Sequence, residues 1–76
     1  METNQINEID KEAKAAFQNS NFKLAIDKFT ILISLEPEDA KHILNRSSSY
    51  AKIHEYQLAL LDAKTCIEKN QSFING

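Results

Sequence analysis

Two stretches decide the fold: Phe22-Lys23-Leu24-Ala25-Ile26-Asp27-Lys28-Phe29-Thr30-Ile31-Leu32-Ile33 and Tyr56-Gln57-Leu58-Ala59-Leu60-Leu61-Asp62-Ala63-Lys64-Thr65-Cys66-Ile67. Set one over the other, Phe22 meets Tyr56, Leu24 meets Leu58, Ala25 meets Ala59, Ile26 meets Leu60 and Ile33 meets Ile67, each pair 34 residues apart (59 − 25 for the alanines). The offset extends upstream, where Ile9 meets Ile43 and Ala13 meets Ser47. These matches preserve residue size as well as polarity. Aromatic residues open both stretches, and small residues at 13, 25, 47 and 59 suit close approach of helix axes.

Apolar residues recur three and four apart throughout, the spacing that lines up one face of an α-helix. The spacing predicts helices over about 6–19, 22–35, 40–53 and 56–69. The first buries Ile6, Ile9, Ala13, Ala16 and Phe17, with Thr3 or Asn4 as its cap. The second carries Phe22, Ala25, Ile26, Phe29, Leu32 and Ile33, widened by Ile31 and Leu35 so that it is covered on two sides. The third faces inward through Ile43, Leu44, Ser47, Tyr50 and Ala51, and the fourth through Ala59, Leu60, Ala63, Cys66 and Ile67. Asn19-Ser20-Asn21, Glu36-Pro37-Glu38-Asp39, His54-Glu55 and Asn70-Gln71-Ser72 punctuate the pattern. Pro37 disfavours helix at Glu36, and the acidic residues after it suit the start of the next helix.

A 34-residue helical hairpin is the period of the tetratricopeptide repeat. The segment from Ile9 to Pro37, with Ala13, Phe22, Ala25, Phe29 and Pro37, is similar to one such repeat. The segment from Ile43 to Gln71, with Ser47, Tyr50, Tyr56, Ala59 and Ala63, resembles a second. The run Asn45-Arg46-Ser47-Ser48-Ser49-Tyr50-Ala51-Lys52, followed by Asp62-Ala63-Lys64, resembles the co-chaperone branch, adaptors of the stress-inducible, heat-shock-organising type. The resemblance implies an all-α chain of two helix–turn–helix hairpins, four antiparallel helices in a short right-handed solenoid. Repeat 1 spans about 6–37, repeat 2 about 40–71, and a third repeat begins at 72–76. Two features depart from the family. Ser20 and His54 stand where it often places the glycine that ends a hairpin's first helix, and Gln71 replaces the second closing proline.

The resemblance further implies a peptide groove lined by the first helix of each pair. The positions carried over are Asp10, Lys11, Lys14, Asn45 and Ser48, with Lys41 and Lys52 at the margins. Chaperone-tail binders hold a terminal carboxylate and an Asp side chain there with Lys and Asn, since charge-assisted hydrogen bonds are the stronger kind. Asn45 matches that clamp. Asp10 stands where a Lys is expected, Lys14 where an Asn is, and Asn75 where a third-repeat basic residue is. The candidate peptide-binding set is Lys11, Lys14, Asn45, Ser48 and Lys52. The two lysines at 11 and 14 share a helical face and present cations to an acidic peptide. Their alternative reading is an ordinary solvated face. Asp10 would repel a carboxylate unless paired with Lys14 four residues on.

Composition bounds what else the chain does. Its 76 residues, 8.7 kDa, bury only ~60% of the unfolded surface. Nine Lys and Arg against 11 Asp and Glu leave a net charge of −2, which gives nucleic acid no basic surface. One Gly, at the terminus, excludes a phosphate-cradling loop, and one Cys excludes an internal disulfide. No apolar run approaches the ~20 residues of a membrane span, so a soluble protein of a reducing compartment, the cytoplasm, is expected. Cys66 reads as a packed, inert thiol. His42 and His54 do not share a helical face, which argues against a metal site between them. Ser47-Ser48-Ser49 lacks the glycines of a nucleophile elbow and reads as packing residues plus groove polarity. Asp27 and Asp62 are expected on solvated exteriors. No catalytic residues, cofactor or metal are expected.

Two repeats leave the last helix short of a neighbour, since each repeat buries its apolar face by stacking. A homodimer through that helix, at Leu58, Leu61, Thr65 or Cys66, follows as an expectation. The leading function is a protein-interaction module that binds an acidic C-terminal peptide of a heat-shock chaperone. The alternatives are a stacking or self-associating fragment without a peptide ligand, and a module that recruits a downstream catalytic domain.

Overall fold

The computed structural model describes residues 3–75, and side-chain surroundings over residues 4–69. Four helices follow one another: α1 (Thr3–Gln18), α2 (Phe22–Leu35), α3 (Ala40–Lys52) and α4 (Tyr56–Asn75). α2 packs against α1 on one side and α3 on the other, and α4 packs against α3. The two-sided cover expected of α2 is therefore present, although Ile31 is left half exposed.

The hairpin corners are built alike. Among the described residues, Ser20 and His54, 34 residues apart, are the non-glycine residues with positive φ, 64° and 65°. At the first corner the Asn21 N–H donates to Ala16 O at 2.8 Å and the Ser20 N–H to Phe17 O at 3.1 Å. At the second the Glu55 N–H donates to Tyr50 O at 2.9 Å and the His54 N–H to Ala51 O at 3.1 Å. Both are Schellman motifs, in which a left-handed residue lets two N–H groups satisfy the last carbonyls of the helix. A side chain in that region crowds its own carbonyl, which is why glycine is favoured there. Ser20→Gly and His54→Gly are therefore expected to stabilise the fold by about 0.5–1 kcal/mol each, additively, raising Tm by a few degrees per site in thermal melts. His54→Gly gains less, because it also removes the contact of His54 Nδ1 with Tyr56 Oη at 2.7 Å.

Between the hairpins, Glu36 caps α2 through its N–H to Leu32 O, and Asp39 caps α3. The Lys41 N–H donates to Asp39 Oδ1 at 3.0 Å, so an acidic residue opens α3 as expected. Two other boundaries differ. Asn4 lies within α1 and Thr3 is the first described residue of that helix, so Asn4 is not its cap. The break expected at Asn70-Gln71-Ser72 is absent, and α4 runs unbroken to Asn75. Pro37 ends the equivalent stretch of repeat 1 by sterics. Gln71, 34 residues on, imposes no such block, and Asn, Gln and Ser cost a helix only tenths of a kcal/mol. Of the expected third-repeat start, 72–75 continue α4, and Gly76 lies outside the described residues.

Ala13, Ala16, Ala25, Phe29 and Leu32 form the buried core, with Ile6, Ile9 and Phe17 packed against it. Phe17 and Phe22 meet edge to face at 5.3 Å, closing the α1–α2 corner. In the second hairpin the small pair at the crossing is Ser47 and Ala59. There the Ser47 hydroxyl donates to Ala59 O at 2.6 Å, so the burial of its oxygen carries no unsatisfied group. Ser49 is also buried, its hydroxyl donating to Asn45 O, while Ser48 is exposed.

Several inward assignments need correction. Leu44 and Ala51 of α3 are exposed, and His42 and Ser49 are buried instead. On α4, Ala59 and Cys66 are buried, but Leu60 is 70% exposed and Ile67 56%. Their repeat-1 counterparts are covered: Ile26 is 8% exposed and Ile33 half-buried, because α3 lies against α2. The face is thus apolar by repeat equivalence and exposed because among the described residues no helix lies against it.

Asp62, expected in solvent, is 6% exposed. The Arg46 guanidinium donates to both of its carboxylate oxygens at 2.8 Å, and to Thr30 Oγ1 of α2 at 3.3 Å, while stacking over Tyr50 at 5.7 Å. The hydrogen bond to Asp62 raises the Arg46 pKa, against the opposing effect of burial. Asp27 is exposed as expected. Cys66 is buried, its thiol 3.4 Å from Ala40 O, and burial first, then Asp62, pushes its pKa up, away from the reactive thiolate.

Candidate peptide-binding groove

Residues four apart on α1 and three apart on α3 point into the trough between these helices. Lys14, Phe17 and Gln18 come from α1, Asn45 and Ser48 from α3, and Phe29 of α2 lies between them, around a groove of about 280 Å³. Phe17 and Phe29 give it an apolar floor. An ammonium, a carboxamide and a hydroxyl supply polar donors at the rim. A second recess of about 290 Å³ shares Lys14 and Asn45 and continues toward the inter-hairpin turn, past Ile6, Asn7, Asp10, Glu36, Asp39, Lys41 and His42.

Lys14 is held by Asp10 at 3.0 Å, one helical turn back, so the expected pairing forms. The Lys14 side chain is 60% exposed, and such a surface pair contributes only about 0.3–0.5 kcal/mol. Its ammonium is therefore inexpensive to transfer to an incoming carboxylate. Of the five candidate residues, Lys14, Asn45 and Ser48 converge on one groove. Lys11 and Lys52 are exposed and line neither this groove nor the adjoining recess.

The sequence reading missed a cluster at the end of the recess. His42 is 6% exposed, and its Nε2 lies 2.8 Å from Glu36 Oε1 and 3.6 Å from Asp39 Oδ2. The search for a second His partner overlooked the Asp39-x-x-His42 spacing, which puts both residues on one face of the first turn of α3. Cross-hairpin ion pairs were missed as well. Glu12 and Lys28 pair through one contact at 3.0 Å, and their repeat-2 counterparts Arg46 and Asp62 pair bidentately at 2.8 Å, the charges exchanged between the two helices. Aligning charged positions at the 34-residue offset would have found both.

No protein-family model and no solved structure matches the chain significantly. Curated relatives do. The chain is 46% identical over 59 residues to Hsp70-Hsp90 organizing protein 3 of Arabidopsis thaliana, covering 75% of the chain and 10% of the relative. It is 39% identical over 71 residues to the heat shock protein sti1 homolog of Schizosaccharomyces pombe, covering 91% of the chain and 12% of the relative. It is 32% identical over 72 residues to the protein SGT1 homolog of Oryza sativa subsp. japonica, covering 95% and 20%. The chain spans between a tenth and a fifth of the length of these relatives. With paired helical hairpins, a 34-residue offset and this likeness over most of its length, the chain is similar to tetratricopeptide-repeat co-chaperones.

Proposed function

We propose that the chain is a peptide-docking module of a cytoplasmic co-chaperone adaptor, and that the trough between α1 and α3 holds an extended acidic C-terminal peptide of a heat-shock chaperone. The convergence of Lys14, Asn45 and Ser48 over the Phe17 and Phe29 floor carries this reading. Lys14 exchanges Asp10 for the terminal carboxylate, Asn45 donates its amide N–H, Ser48 donates its hydroxyl, and an apolar side chain of the peptide settles on the Phe17 ring. Lys11 and Lys52 act at longer range, raising the local concentration of an acidic ligand. Two relatives named for organising Hsp70 and Hsp90, or as a heat shock protein homolog, support the assignment.

Isothermal titration with the peptide Met-Glu-Glu-Val-Asp tests it. Saturable binding is expected that weakens with salt and falls about tenfold or more in Lys14→Glu, since a charge-assisted contact contributes about 1.5–3 kcal/mol. Absence of heat for the native chain would reject the reading.

A second reading rests on a different observation. Leu58, Leu60, Leu61 and Ile67 are exposed on α4, Leu60 and Ile67 on one side of the helix and Leu58 and Leu61 on another, and exposed apolar surface of this kind favours self-association as a homodimer. Leu61→Glu is expected to abolish a concentration-dependent rise in mass in sedimentation experiments, and Lys14→Glu to leave it unchanged. A native chain that stays monomeric at millimolar concentration contradicts this reading.

A further inference from the structure

We propose that Glu36, Asp39 and His42 form a binding site for a divalent transition cation, Zn²⁺ foremost, that fastens the turn between the two hairpins. Each ligand comes from a different part of the joint: Glu36 is the C-cap of α2, Asp39 the N-cap of α3, and His42 lies in the first turn of α3. One donor atom from each falls within 4.8 Å of the other two. The two separations of 2.8 and 3.6 Å from His42 Nε2 bracket the ~3.4 Å between neighbouring ligands of a tetrahedral zinc with bonds of ~2.0–2.1 Å. Closing on an ion thus needs only small side-chain movements.

The ligands are oriented in advance. Asp39 Oδ1 is engaged by the Lys41 N–H at 3.0 Å, which leaves Oδ2 directed at His42, and carboxylates held in this way are typical of metal sites. His42 is more than nine-tenths buried, so its ring has little freedom to lose. The open side faces the recess shared with Lys14 and Asn45, which gives water and substrate-sized ligands access to the remaining coordination positions. The other charged groups lining that recess are Asp10, Lys14 and Lys41. Asp10 and Lys14 compensate each other at 3.0 Å, so the two carboxylates of the cluster outweigh Lys41 and the local field favours a cation. One imidazole with two carboxylates selects zinc, cobalt or nickel over calcium and magnesium, which prefer oxygen alone.

The proton inventory sets the strength. Nδ1 of His42 is buried without a hydrogen-bond partner, while Nε2 faces Glu36 Oε1 at 2.8 Å. A cation on the Nε2 lone pair leaves the ring proton at Nδ1. The buried N–H at Nδ1 then lacks an acceptor, so affinity falls below that of a closed four-ligand zinc site.

The test is titration of the chelator-stripped native chain with ZnCl₂, followed by calorimetry, histidine-ring NMR and thermal melts. One equivalent is expected to bind, to shift the His42 ring resonances and to raise Tm, and MgCl₂ to do none of these. Glu36→Gln and Asp39→Asn each retain a side-chain oxygen for the local fold and are expected to weaken Zn²⁺ at least about tenfold. Their melts in chelator are expected to match the native chain, which separates lost ligation from lost folding. No saturable uptake, unchanged affinity in both variants, or shifts confined to the His54 ring would each overturn the proposal.

Discussion

Phe29→Ala is expected to remove most of the stability of the chain and, at temperatures where the variant still folds, its peptide binding as well. Phe29 is 1% exposed and belongs to the buried cluster that joins α1 to α2. Truncating a buried Phe to Ala costs about 3–5 kcal/mol, because the cavity left behind adds to the lost transfer energy. A 76-residue domain has about 4–11 kcal/mol in total. Tm should therefore fall by roughly 15 °C or more in a calorimetric melt. The ring also floors the groove beneath Lys14 and Asn45, so affinity falls even when the data are corrected for the unfolded fraction. Phe29→Leu, which keeps much of the volume, separates the two effects. It is expected to restore most of the stability and less of the binding, since the rigid ring that supports Phe17 and Lys14 from beneath is lost.

Breaking the Arg46–Asp62 pair has the second-largest expected effect. Asp62→Ala leaves a guanidinium, whose side chain is only 22% exposed, without its bidentate partner. Removal of one member of a buried pair costs about 3–5 kcal/mol, and the partial exposure of Arg46 places this case near 3. The first hairpin supplies the control. There the equivalent pair is Glu12–Lys28, with the signs exchanged, at 3.0 Å. The double variant Arg46→Glu, Asp62→Lys is therefore expected to recover at least half of the loss in urea unfolding, although the contact of Arg46 with Thr30 is gone. A double variant no more stable than Asp62→Ala would show that the pair is not interchangeable between the hairpins.

Much of this architecture was legible because the repeat writes it twice. The four helices, the tight small-residue crossings at Ala13, Ala25, Ser47 and Ala59, and the strained corners at Ser20 and His54 all follow from matching residues at one offset. What escaped the reading is what the offset alone does not encode. Leu60 and Ile67 carry the core pattern of Ile26 and Ile33, yet stand exposed, because burial depends on the neighbour as well as on the helix. Asp62 looked like a surface carboxylate because its partner is 16 residues away on another helix. Gln71 marked a boundary only by analogy with Pro37, and without the proline ring α4 simply continues. Lys14, Asn45 and Ser48 were carried over from the family resemblance, and they line one groove with Phe17 and Phe29. The His42 cluster was not legible, because it forms across a turn whose shape no periodicity describes.

The most direct test of the groove is a titration of the ¹⁵N-labelled chain with Met-Glu-Glu-Val-Asp, followed by amide chemical shifts. The account predicts saturable changes concentrated at Lys14, Phe17, Gln18, Asn45 and Ser48, along facing sides of α1 and α3. Shifts confined to α4, or none at all with the peptide in large excess, would contradict it.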